Sequence, residues 1–254
     1  MRRRWLAVVS SLFVGVLALA AAVPTVLTSD AVEPAVASFI APPALAETRL
    51  HAPVILVPGW FDTGRDLAAL RIRLLGAGMD DAEVRTLTFA DPTGSNVDHA
   101  AEIDSLVAEV VAGSGVDRVD IVAHSMGGLA TRWYLATRPA APVRRVAFLG
   151  TPHRGTLSAH LAWGDGRDEM LPDSRFLAEL NSQSPLPDGV EAITVRTPID
   201  THVLPGESAT LPGVEDHVVC CPTHPGLLDD EDVFLVVMDF LERTGSTPEL
   251  SSAP

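Results

Sequence analysis

The sequence predicts an α/β fold: a mostly parallel central sheet of about six strands, helices on both faces, and little or no cap. Three observations carry this. From Pro53 onward, short apolar runs alternate with stretches of helical spacing, the pattern of parallel strands joined by crossover helices. The strand candidates are continuous apolar runs, such as Val54-Ile55-Leu56-Val57, as expected of strands buried on both faces. The third is a strand, a sharp turn and a helix in immediate succession. Val119-Asp120-Ile121-Val122 leads through Ala123-His124-Ser125-Met126-Gly127 into the helical stretch Gly128 to Arg138.

The remaining elements follow in order. Asp66 to Leu75 has helical spacing, and Glu83 to Phe89 reads as a strand with Val84 and Leu87 among its apolar positions. Val97 to Ala112 carries Ile103, Leu106, Val107, Val110 and Val111 on one helical face. Arg118 to Ala123 is the strand before the serine turn, and Arg145 to Gly150 is another buried strand. Gly155 to Gly189 is rich in Gly, Pro, Asp and Ser and predicts one short helix, Arg175 to Leu180. Its acidic run Asp165-Gly166-Arg167-Asp168-Glu169 reads as a solvated loop. Ala192 to Arg196 and Asp216 to Cys220 read as the last two strands. Asp230 to Arg243 is a closing helix with Phe234, Val237, Met238 and Leu241 on its apolar face. The tail from Gly245 is polar, and no internal repeat is present.

The 254 residues suffice for one sizeable core, and a hydrophobic content of 47% indicates a folded domain. All 18 basic residues are arginine, and the net charge is −15, which argues against nucleic-acid binding and against docking on anionic membranes. Residues 1–46 are expected to lie outside the fold. Arg2-Arg3-Arg4 precedes an uncharged apolar segment, Trp5 to Val23, which Pro24 ends; this is a secretory signal pattern. Cleavage could follow Ala22 or Ala46, with a Pro- and Ala-rich pro-segment or linker between them. An uncleaved anchor is the alternative, and the paired arginines also allow twin-arginine export. The expected divisions are thus 1–46, a folded domain over 47–245, and a tail over 246–254. The two cysteines, Cys220 and Cys221, are adjacent and cannot staple a long loop. A vicinal disulfide, two free thiols, or pairing with another chain are all open.

The strand–serine–helix turn sets up nucleophilic chemistry. Its backbone is strained so that the hydroxyl stands clear of the sheet, and positions two before and two after the serine must be very small. Ala123 and Gly127 meet that need. A serine needs a base, and the base needs an acid to fix its tautomer. The base should follow the serine near the C-terminus, after a late strand. His224, in the loop Pro222-Thr223-His224-Pro225-Gly226, has that place; His202 is the runner-up and His217 sits at a strand start. Asp200 is the first carboxylate after the penultimate strand, with Glu215 and Asp216 as alternatives. It could instead be a turn aspartate capping its own backbone. An oxyanion hole needs two backbone N–H groups. Met126 supplies one, and the loop Pro58-Gly59-Trp60-Phe61 supplies the other at Trp60, with Gly59 allowing close approach. Trp60 could equally serve to cover the core.

With these pieces in place, the sequence resembles the secreted bacterial triacylglycerol lipases of the α/β-hydrolase superfamily, the small Bacillus-type lipases above all. Val119 to Gly128 is similar to that family's elbow, including Ala123 in the first small position. His224-Pro225-Gly226-Leu227-Leu228 is similar to its base loop, and Asp200 falls where the family carries its acid. Gly150-Thr151-Pro152-His153-Arg154-Gly155-Thr156 is similar to a loop of larger secreted lipases. Two departures stand out: Pro58 replaces the family's His, and Gly155 to Gly189 is longer than a minimal lipase needs, so that Leu157 to Leu186 could fold partly over the serine. The resemblance implies hydrolysis of carboxylic esters of lipid-like alcohols, such as acylglycerols; with the signal pattern, a secreted monomer is expected that needs no cofactor or metal and makes at most transient contact with a lipid interface. The alternatives are an acyltransferase on the same residues, or a non-catalytic binding protein on the same fold.

Overall fold

The computed structural model of the chain describes residues 51–243. The expected signal segment and linker and the polar tail lie outside the described residues. Six strands form one parallel sheet: β1 (Val54–Val57), β2 (Val84–Thr86), β3 (Val119–His124), β4 (Val143–Leu149), β5 (Glu191–Arg196) and β6 (Glu215–Val218). Their order across the sheet is β2-β1-β3-β4-β5-β6, with parallel register throughout. The helices are α1 (Ala68–Gly76), α2 (Asn96–Ser114), α3 (Met126–Thr137), α4 (Asp165–Met170), α5 (Arg175–Asn181) and α6 (Glu231–Glu242).

Alternate residues of each strand feed two cores. Val54 and Leu56 of β1, Val122 of β3, Leu149 of β4 and Val195 of β5 pack with Leu70 and Leu74 of α1 and Val233 and Val237 of α6. Ile55, Val57, Ile121, Ala123, Val146 and Phe148 face the other way, onto Ile103 and Val107 of α2 and Ala130 and Tyr134 of α3. Each such Leu, Ile or Val stabilises the fold by roughly 1.5–3 kcal/mol. This two-sided burial is why the strands read as unbroken apolar runs.

Three expectations are corrected. The strand expected to reach Phe89 ends at Thr86, because Phe89 is buried against α2, its ring stacked on His99 with centroids 3.7 Å apart. The last strand begins at Glu215 and ends at Val218, and beyond it Cys220 and Cys221 are disulfide-bonded to each other. The segment after β4 holds more than one helix: a 3-10 turn, Leu157–Leu161, then α4 and α5. The acidic run is therefore helix α4. The Glu169 carboxylate accepts from Ser95 Oγ (2.6 Å), Asn96 N (2.6 Å) and Asn96 Nδ2 (2.8 Å), at the N-terminus of α2 where a negative charge is favoured. Met170, Phe176, Leu177 and Leu180 then pack on Met126 and Leu129 of α3. Helix α5 matches the helix expected over Arg175 to Leu180, whereas α4, at 6 residues, is too short for periodicity to reveal.

One close approach positions everything that follows. A Cβ on Gly127 would come within 2.2 Å of the Pro58 carbonyl oxygen, so α3 can cross the end of β1 only without a side chain there. At the far end of β3, the Asp120 carboxylate is buried and receives Arg144 through two bonds, at 2.9 and 2.5 Å. Burial pushes the Asp120 carboxyl above its ordinary value, and Arg144 counters only part of that. Arg144→Met should strand this carboxylate and cost about 3 kcal/mol, read as a lowered urea midpoint. An unchanged midpoint would show that Arg145 or water replaces the pair.

Candidate active site

The chain runs from β1 out to the edge strand β2 and returns to β3 on the other side of β1, so the loops after β1 and β3 diverge at a switch point. Ser125 sits there, at φ 50° and ψ −126°, with α3 starting at Met126. A non-glycine residue in such backbone costs of order 1–3 kcal/mol and persists only where its surroundings hold it. The holding contacts are Ser125 N–H to the Leu149 carbonyl (2.8 Å) and Gly128 N–H to the Ser125 carbonyl (3.0 Å).

The structure brings Ser125, His224 and Asp200 into one hydrogen-bonded chain. His224 Nε2 lies 2.9 Å from Ser125 Oγ, and His224 Nδ1 lies 2.8 Å from Asp200 Oδ2. His224 and Asp200 are both buried. The turn role weighed for Asp200 is also present: its second oxygen, Oδ1, accepts from the N–H groups of His202 (2.7 Å) and Val203 (2.9 Å). Burial alone would raise the Asp200 carboxyl. The His224 hydrogen bond and charge, with these backbone donors, outweigh it and hold the carboxyl below its ordinary value. For His224, burial dominates and lowers its proton affinity; His124 and His202 push the same way, and Asp200 opposes them. A neutral imidazole with its Nδ1–H on a carboxylate and its Nε2 on a hydroxyl is set up to take the serine proton.

The other candidates are engaged elsewhere. Glu215 pairs with Arg243 and His217, and Asp216 pairs with Arg196. His202 stacks on the His224 ring, with centroids 4.8 Å apart, and so acts as a neighbour of the expected base. His153 is buried with its proton affinity well below the ordinary value, owing to burial and then to Arg132 and Arg154.

Gly59 and Trp60 follow β1 beside the elbow; a Cβ on Gly59 would meet Ser125 Cβ at 3.0 Å. The N–H of Met126 is the first of α3 and has no intrahelical acceptor. Among the described residues, no protein acceptor engages it or the N–H of Trp60. Trp60 also makes side-chain contacts: its indole donates to the Trp163 carbonyl (3.0 Å) and meets the Trp163 ring edge-on at 4.6 Å.

Above Ser125 opens a cleft of about 490 Å³, lined by Trp60, Phe61, Leu161, Trp163, Met170 and Val203 among others. The segment after β4 supplies Leu161 and Trp163, so it forms one wall of the cleft and leaves the serine partly exposed. Apolar side chains stand out at its rim: Phe61 is 58% exposed, Trp163 55% and Leu161 89%. Among the described residues, no group of three or more His, Cys, Asp or Glu is placed to hold a metal ion.

Two features escaped the sequence. Asp62 Oδ2 lies 3.0 Å from His124 Nδ1, joining the loop after β1 to the elbow. The short spacing of Asp62 from Gly59 is the only sequence signal for it. Gly150, at φ 57°, ends β4 beneath the base: a Cβ there would lie 3.0 Å from the His224 ring and 2.9 Å from Leu227.

Comparison with known proteins returns the same class. Residues 51–162 match the family model described as Lipase (class 2). A triacylglycerol lipase of Burkholderia plantarii is 29% identical over 130 residues, 46% of this chain and 33% of that one. A triacylglycerol lipase of Pseudarthrobacter phenanthrenivorans is 29% identical over 117 residues, 41% and 34%. The matched segment thus spans about a third of the length of each relative. Among solved structures, Bacillus licheniformis lipase BlEst2 in mature form is similar at TM-score 0.66 and 18% identity, covering 76% of this chain and 93% of that one. Aspergillus fumigatus lipase B is similar at 0.67 and 21%, covering 77% and 53%. The chain has the α/β-hydrolase fold, and the expected likeness to the Bacillus-type lipases holds.

Gly150→Ala should push the His224 ring off line while leaving Ser125 untouched. Labelling of Ser125 by a fluorophosphonate should slow by ~10–100-fold, because displacements near 1 Å cost that much. An unchanged labelling rate would show that the base loop has room to yield.

Proposed function

We propose that the protein is a secreted serine hydrolase of carboxylic esters, acting on acylglycerols or similar lipid esters through an acyl-enzyme on Ser125. The observation that carries this reading is the hydrogen-bonded chain Ser125–His224–Asp200 at the floor of an apolar, solvent-open cleft. The lipase family model over 51–162 and the two triacylglycerol lipases support the ester class. The signal pattern of residues 1–46 supports export.

In this mechanism Ser125 Oγ attacks the ester carbonyl carbon while His224 Nε2 takes its proton. The carbonyl oxygen becomes an oxyanion, held by the N–H groups of Trp60 and Met126; losing one such donor typically costs ~10²–10³ in rate. Asp200 fixes the tautomer of His224 and stabilises its charged form. His224 then hands the proton to the departing alkoxide, which leaves as the alcohol. Water, deprotonated by the same imidazole, attacks the acyl-enzyme and releases the carboxylic acid. The apolar wall of Leu161, Trp163 and Met170 suits an acyl or alkyl chain.

The test is hydrolysis of p-nitrophenyl esters from acetyl to palmitoyl, with Ser125→Ala as control. Turnover that vanishes in the control is expected, and the chain-length profile separates esterase from lipase. No turnover of any ester, even on emulsions, would overturn hydrolysis and direct the assay to acyl transfer with an added alcohol. His224→Ala should lose most activity with the fold intact; near-normal turnover would move the base to His202 or His217. Asp200→Asn should cost less, though still about 10³–10⁴-fold.

The reading also sets a pH dependence. The base works neutral, and burial lowers the proton affinity of His224. Activity should therefore persist below the ordinary histidine value of about 6.5 and fall only as pH drops through the depressed one. An acid limb of kcat/KM at or above 6.5 would contradict it.

A further inference from the structure

His124, immediately before the serine, is only 3% exposed, and both of its ring nitrogens face acceptors. Nδ1 lies 3.0 Å from the Asp62 carboxylate, and Nε2 lies 3.3 Å from the backbone carbonyl of His224. A neutral imidazole has one N–H and can donate to only one of the two. The alternative, a protonated Asp62 donating to Nδ1, is opposed by a third contact. The same Asp62 oxygen, Oδ2, also accepts the Gly59 N–H at 3.3 Å, a bond that an ionised carboxylate oxygen makes more strongly than a carboxylic O–H. Asp62 is partly exposed, which lowers the cost of keeping it ionised.

We propose that His124 is an imidazolium that, paired with Asp62, positions the oxyanion loop and the base loop against the elbow. Its Nδ1–H and the Gly59 N–H converge on one carboxylate oxygen, which fixes the loop that carries Trp60. Its Nε2–H holds the carbonyl of His224 itself. Three loops, following β1, β3 and β6, thus meet at one charged ring. The catalytic part of this inference rests on the ester-hydrolase reading above; the charge on His124 does not.

A fixed cation here also acts on the base. The His124 and His224 rings are 4.8 Å apart. The other groups facing His224 are Asp200 and His202, from the loop after β5, and Ser125. Those facing His124 are Asp62 and, on the same loop, Asp66. A neighbouring cation disfavours a second one, so His124 keeps the base unprotonated to lower pH. Charge at this place also favours the negative oxyanion over the neutral ester.

Two measurements decide it. In the full chain labelled with 15N-histidine, both ring nitrogens of His124 should be protonated near pH 7, with one-bond N–H couplings on each. A single protonated nitrogen would overturn the proposal whether or not the protein turns over esters. In His124→Gln, one donor is kept and the charge is removed. The acid limb of kcat/KM for p-nitrophenyl butyrate should then rise by roughly half a pH unit or more, as loss of a charge at this distance requires. Asp62→Asn should shift the limb the same way, because a buried imidazolium without its carboxylate gives up its proton. A fall in kcat with an unmoved acid limb in both variants would reduce His124 to packing and overturn its role as a cation. An inactive wild type that fails to label with fluorophosphonate would sink the ester-hydrolase reading, while the NMR result still decides the state of His124.

Discussion

The site depends on one steric constraint: α3 must cross the end of β1 so closely that its second residue, Gly127, nearly touches the Pro58 carbonyl oxygen. That approach fixes the angle between β3 and α3 and forces the turn between them through the positive φ of Ser125. The strain is local, and it is offset by the two cores packed on either side of the sheet. It also presents two features at once: the hydroxyl of Ser125 and the N–H of Met126, the first of α3, which no protein acceptor engages among the described residues. In the proposed mechanism a nucleophile and half of an oxyanion site thus come from a single turn.

Around that turn the structure assembles loops from separate strands, each held by polar contacts. Asp200 shares its two oxygens between its own turn and His224, so one carboxylate both shapes its loop and orients the ring. Thr156 does the same between loops: its Oγ1 donates to the His202 carbonyl (2.7 Å) and accepts the Leu204 N–H (2.9 Å). Through Thr156 the wall after β4 is locked to the acid loop. Asp62 and His124 complete the ring of contacts from the side of β1. These groups are buried or half-buried, where hydrogen bonds to charged partners are worth most and unpaired ones cost most.

The segment after β4 explains why the cleft is neither fully open nor capped. Its helices are pinned to the body, α4 through Glu169 at the head of α2 and α5 through Phe176, Leu177 and Leu180 on α3. What reaches the cleft is the stretch before α4, where Trp163 contacts Trp60 and Phe61 edge-on, together with Met170 at the end of α4. The result is an apolar rim on a protein whose net charge is −15. Under the proposed ester-hydrolase function, those two properties would favour neutral apolar substrates over anionic surfaces.

The sheet, the elbow and the candidacy of Ser125, His224 and Asp200 were legible in the residues alone. Two-sided burial writes itself as unbroken apolar runs, the turn demands Ala123 and Gly127, and chain order sets where a base and an acid can stand. The remainder required the assembled fold. The bonding chain from Ser125 through His224 to Asp200 spans three loops, and no local pattern encodes such distances. The short helix α4, read as a loop from its acidic sequence, is held by Glu169 at the head of α2 and not marked by periodicity, whereas α5 was already legible over Arg175 to Leu180. Phe89 left its strand because burial against α2 outweighed one more edge pairing. His124 carries no signal in the sequence beyond its place before Ser125; its partners Asp62 and the His224 carbonyl, 62 and 100 residues away, can be supplied only by the fold.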